Sequence, residues 1–73
     1  MENERLGNSM KLHRAKLGLT QGELADLVQV TRKTINSVEN GVFVPSTVLA
    51  LKLAHVLQTP VETLFYLRRS AER

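Results

Sequence analysis

Seventy-three residues bound this chain to one small domain with a modest core. It contains no cysteine, which excludes a disulfide framework, a thiolate zinc site and a cysteine nucleophile. Ten Lys and Arg against seven Asp and Glu give a net charge of +3, which suits a polyanionic partner without establishing one.

The opening Met-Glu-Asn-Glu-Arg is acidic and polar, unlike a secretory signal, and no run of ~18 apolar residues occurs. The expectation is a cytoplasmic chain with no membrane partner. A first helix is predicted from Leu6 to Leu17, because Leu6, Met10, His13 and Leu17 recur at helical spacing and Gly18 supplies a stop. Thr20 and Glu23 form a capping box that opens a second helix, whose apolar set is Leu24, Ala25, Leu27 and Val28. Gln29 and Val30 break that pattern. Thr31 caps a third helix, and Val30 is placed to pack on Ile35 as a hydrophobic staple. Ile35 and Val38 face inward in this third helix, so Arg32, Lys33, Asn36 and Ser37 face out. Gly41, after Asn40, offers the positive φ that commonly ends a helix. Phe43, in the loop that follows, is expected to plug the core.

A fourth helix begins at Ser46 and ends near Leu57. Val48, Leu49, Ala50, Leu51, Leu53, Ala54, Val56 and Leu57 leave it apolar nearly all round. A helix of that kind is normally covered on every side. One covering is a second subunit, held through Val48, Leu51, His55, Phe65, Tyr66 and Leu67; the other is the C-terminal tail folded over the extra face. Thr59 as cap, Pro60 at the first position and Glu62 completing a box predict a fifth helix. No segment alternates like a strand. The predicted fold is therefore all-α: a compact five-helix bundle, one domain over residues 1–73 with its core at about 6–67.

Residues 20–41 resemble the helix-turn-helix of the phage repressor and Cro family, the XRE-like regulators with a lambda-repressor-like DNA-binding domain. The matching residues are Thr20, Gln21, Glu23, Leu24, Ala25, Val28, Val30, Thr31, Thr34, Ile35, Glu39, Asn40 and Gly41. The similarity continues through Pro45-Ser46, residues 49–54 and residues 61–65. One departure is Gln29, where the family often has glycine; a left-handed backbone there costs on the order of 1 kcal/mol.

The resemblance implies roles for particular residues. Arg32, Lys33, Asn36 and Ser37 occupy the positions whose side chains reach base edges. Arginine and lysine donate to guanine, asparagine pairs with adenine, and serine serves either. Gln21 matches a clamp on backbone phosphate, with Thr20, Thr31, Thr34, Asn40 and Thr47 as further phosphate candidates. Capping and turn formation alone equally explain Thr20, Thr31 and Asn40. Arg14 and Glu39 match a structural salt bridge between the first and third helices.

The implied function is a sequence-specific transcriptional regulator of double-stranded DNA, a homodimeric repressor on a near-palindromic operator. It needs no cofactor, no metal and no small-molecule ligand. An enzyme is not expected, because His13 and His55 belong to no metal-binding spacing or catalytic pair. The rival reading is an antitoxin or a coactivator-type protein-interaction module on the same fold. The polar, basic face of the third helix favours DNA over that rival.

Overall fold

The computed structural model describes residues 4–69. In chain order they form β1 (Glu4–Asn8), α1 (Met10–Lys16), α2 (Gln21–Val28), α3 (Arg32–Glu39), α4 (Thr47–Val56), α5 (Val61–Leu64) and β2 (Phe65–Arg69). All five helices of the sequence reading are present. The all-α expectation needs correction, because β1 and β2 pair antiparallel, from Glu4 opposite Arg69 to Asn8 opposite Phe65. The two ends of the chain thus close into a small sheet beside the helices.

The first helix also starts later than its apolar spacing predicts. Gly7, Asn8 and Ser9 are all poor helix formers, and Asn8 is put to other uses. Its Oδ1 accepts the Met10 N–H at 3.1 Å, and its Nδ2 donates to the Val38 carbonyl at 3.0 Å. Asn8 therefore ties the end of β1 to the last turn of α3. Leu6 lies in β1, half-buried, and Leu17 is the exposed C-cap of α1.

The central helices are held by their caps. Thr20 Oγ1 accepts from the Glu23 N–H at 3.0 Å, and Glu23 Oε1 accepts from the Thr20 N–H at 2.9 Å. Thr31 Oγ1 accepts from the Thr34 N–H at 3.2 Å, and Ser46 Oγ from the Leu49 N–H at 3.1 Å. Gln29 sits between α2 and α3 at φ 65°, in the left-handed region. Its side-chain oxygen accepts from Lys52 Nζ at 3.3 Å, so the strained turn is also tied to α4. The fifth helix departs from the prediction. Pro60, not Thr59, stands at its cap, and no side-chain hydrogen bond closes that end.

Met10, Leu24, Ile35, Leu53 and Leu64 are fully excluded from water, one from each helix. Each such burial contributes about 1.5–3 kcal/mol, so the hydrophobic core is what holds the helices together. Val30 packs on this core from the turn. Leu27, grouped with the apolar set of α2, lies in solvent.

Phe43 does not plug the core; its ring is about half exposed, at 48%. The N–H groups of Val42 and Phe43 fold back on the Ser37 carbonyl at 2.9 and 3.2 Å. That tight return, after Gly41 at φ 75°, leaves the ring on the flank of α3 beside Lys33 and Ser37.

Candidate nucleic-acid interface

The amphipathic pattern of α3 places Ile35 and Val38 in the core, leaving Arg32, Lys33 and Asn36 exposed and Ser37 half-buried on the other side. Among the described residues the one ion pair is that of Arg14 with Glu39, so Arg32 and Lys33 keep their charges for a partner. The outer face of α3 is thus cationic and polar over its first two turns.

Behind this face lies a hydrogen-bonded network that fixes its orientation. Arg14 Nε meets Glu39 Oε2 at 2.7 Å, and Arg14 Nη2 meets Oε1 at 3.2 Å, a bidentate pair. The two side chains are only 14% and 5% exposed. Arg14 Nη1 also donates to the Leu19 carbonyl at 2.9 Å, so one guanidinium fastens α1, the approach to α2 and the end of α3. Charge-assisted fork geometry of this kind is among the stronger polar contacts a protein makes.

Gln21 joins the same network. Its Nε2 donates to Glu39 Oε1 at 3.0 Å and to Asn36 Oδ1 at 3.2 Å. Both amide hydrogens are therefore engaged within the protein, and the side chain has only its oxygen left to offer. What α2 presents to an anion at this end is its free backbone N–H groups. Asn36 Oδ1 receives a second, longer bond from Asn40 Nδ2 at 3.4 Å, which leaves the Asn36 amide N–H groups facing outward. These contacts carry no local signal, since Gln21, Asn36 and Glu39 meet only when α2 packs on α3.

The hydroxyls of Thr20 and Thr31 are spent on their caps, and Thr31 Oγ1 lies 3.1 Å from Thr34 Oγ1. Asn40 and Thr47 are exposed, at the end of α3 and the start of α4. His13 is half-buried on α1 and His55 is exposed on α4. Among the described residues no three His, Cys, Asp or Glu gather to hold a metal, and no helix is long and apolar enough to cross a membrane.

The residues assigned to a subunit contact divide into two groups. Val48, Leu51, His55, Tyr66 and Leu67 are exposed. Phe65 is not; as the first residue of β2 it belongs to the core and is 8% exposed. It retains one edge at a shallow apolar hollow of about 270 Å³, which Leu6, Val44, Leu51 and Val61 also line.

The helix-turn-helix family pattern matches residues 10–64, from the start of α1 to the end of α5. The chain belongs to the XRE-type helix-turn-helix family. The match leaves out both strands. Over 60 residues the chain is 40% identical to the HTH-type transcriptional regulator YgzD of Bacillus subtilis, an overlap of 82% of this chain and 91% of that one. It is 48% identical over 56 residues to an HTH-type transcriptional regulator of Methanothermobacter thermautotrophicus, covering 75% and 81% of the two. Among solved structures it resembles the restriction-modification controller protein C.AhdI of Aeromonas hydrophila, with a TM-score of 0.69 and 33% identity over 74% of this chain and 82% of that one. The clp gene regulator ClgR of Corynebacterium glutamicum gives a TM-score of 0.68 and 29% identity, over 71% of this chain and 55% of that one.

Proposed function

We propose that this chain is a sequence-specific transcriptional repressor that lays α3 in the DNA major groove and binds a near-palindromic operator as a cytoplasmic homodimer. The observation that carries this reading is the outer face of α3, where Arg32 and Lys33 stand exposed, without an ion-pair partner among the described residues, while the Arg14–Glu39–Gln21–Asn36 network holds the helix from behind. Arg32 and Lys33 donate to guanine O6 and N7, the Asn36 amide N–H groups to an acceptor on a base edge, and Ser37 to either kind of pair. The backbone N–H groups at the start of α2 meet a phosphate, as do Thr34, Asn40 and Thr47, with Thr20 and Thr31 contributing mainly as caps.

One recognition helix reads only a few base pairs, and two-fold dimers double that reading at half-sites about one DNA turn apart. The exposed Val48 and Leu51 of α4, with His55, Tyr66 and Leu67, supply the subunit contact, and Phe65 supports them from the core. Repression follows from occupancy of the promoter. The test is a selection from random double-stranded DNA, followed by binding to the recovered sequence across salt concentrations. A near-palindrome bound with an affinity that falls steeply with salt supports the reading. Recovery of no preferred sequence contradicts it and points to a protein partner.

A further inference from the structure

Arg5 and Arg68 face each other directly across the two strands. Like charges in that register destabilise a sheet, and neither arginine has a carboxylate partner among the described residues. Arg68 is nonetheless held in place. A Cβ at Gly7 would lie only 2.5 Å from Arg68 Cδ, 2.6 Å from its Cγ and 2.5 Å from Tyr66 Cε1. The arginine stem therefore lies across β1 in the gap the glycine leaves. Tyr66 beside it is anchored by its hydroxyl, which donates to the Asn8 carbonyl at 3.3 Å.

Both arginines line a hollow of about 500 Å³ between the sheet and the end of α3, with Asn8, Asn40, Gly41 and Phe43, and Glu4 is the one carboxylate among its lining residues. Phe43 also borders the groove beside Lys33, Thr34 and Ser37, so the arginine hollow adjoins the outer face of α3. On the operator reading, this hollow lies beside the helix that enters the groove, the side from which a flanking phosphate can approach. A monoanionic phosphodiester between the two guanidiniums relieves their repulsion and accepts from their donors.

We infer that Arg5 and Arg68 form a phosphate clamp, which grips the DNA backbone just outside the segment that α3 reads. The inference rests on the operator reading above. Arg69 serves as the internal control, since it stands opposite Glu4 in the strand register and does not line the hollow.

The experiment measures binding of the full chain to its selected operator across a salt series, for wild type, Arg5→Gln, Arg68→Gln, Arg69→Gln and Gly7→Ala, with thermal midpoints alongside. Arg5→Gln and Arg68→Gln should each flatten the salt slope by about 0.9 and weaken low-salt binding about tenfold, with the preferred sequence unchanged. Arg69→Gln should leave the slope nearly as it is. A folded Gly7→Ala, which keeps every charge but displaces the Arg68 stem, should weaken binding as Arg68→Gln does. Equal losses for Arg68→Gln and Arg69→Gln would reduce the effect to a diffuse positive field and overturn the clamp. Wild-type binding with Arg5→Gln and Arg68→Gln unchanged overturns the clamp alone; wild-type protein that binds no DNA overturns it together with the operator reading. Unchanged DNA binding with lost retention on immobilised poly-glutamate would assign the hollow to an acidic protein surface instead.

Discussion

The helix pair α2–α3 and the sheet β1–β2 are both small, but they are specified in different ways. In the helix pair each start is closed by a residue three positions away, Thr20 with Glu23 and Thr31 with Thr34. Its inner faces are fully buried through Leu24 and Ile35. In the sheet, each strand finds its partner at the other end of the chain, and four of the five residues of β2 are exposed. A two-stranded sheet is marginal by itself, and this one leans on Phe65, on Leu6 and on the bonds from Asn8 to the end of α3. The helix pair is a locally written scaffold. The sheet is a surface that the scaffold supports.

That contrast can be broken most severely at the network behind α3. Arg14→Ala strands the Glu39 carboxylate in a site where it is 5% exposed, and should lower unfolding stability by about 3–5 kcal/mol, read by denaturant titration. Lost DNA binding in that variant would report unfolding and not a missing DNA contact. A loss of under about 1 kcal/mol would show that water reaches the pair readily. On the exposed side, Leu51→Glu should leave the monomer folded and weaken dimerisation at least about tenfold, seen as a shift toward monomer in sedimentation velocity. Sedimentation identical to wild type would remove Leu51 from the interface.

Smaller effects sharpen the local side of the comparison. Thr31→Ala removes the cap of α3 and should cost about 1 kcal/mol, and the serine variant should restore most of it. Gln29→Gly relieves the left-handed strain but loses the bond to Lys52, so it should stabilise the fold by less than about 1 kcal/mol. A net loss would mean that the link from the turn to α4 outweighs the strain.

What could be read from the sequence follows the same division. The capped starts of α2, α3 and α4 are legible because the cap and the bonded N–H lie within one turn, and the left-handed turn at Gln29 is legible through the resemblance, because the family often has glycine there. The strands are not. Leu6 and Met10 have helical spacing, and only the run Gly7-Asn8-Ser9 argues against a helix there, while the pairing of β1 with β2 leaves no local trace. An aromatic residue after a helix suggests burial for Phe43, whereas backbone bonds to Ser37 decide where the ring lies. The resemblance gives Gln21 to a backbone phosphate, and only the packing of α2 on α3 adds the bonds from its amide to Asn36 and Glu39.

The central claim, that the outer face of α3 reads DNA bases, is tested most directly by parallel selections from random double-stranded DNA with wild type and Lys33→Ala. The account predicts a preferred half-site for wild type and a relaxed or altered base preference at one position for Lys33→Ala, with thermal midpoints nearly equal. Identical preferences from the two proteins would remove Lys33 from base reading. No preference from either would contradict the claim itself.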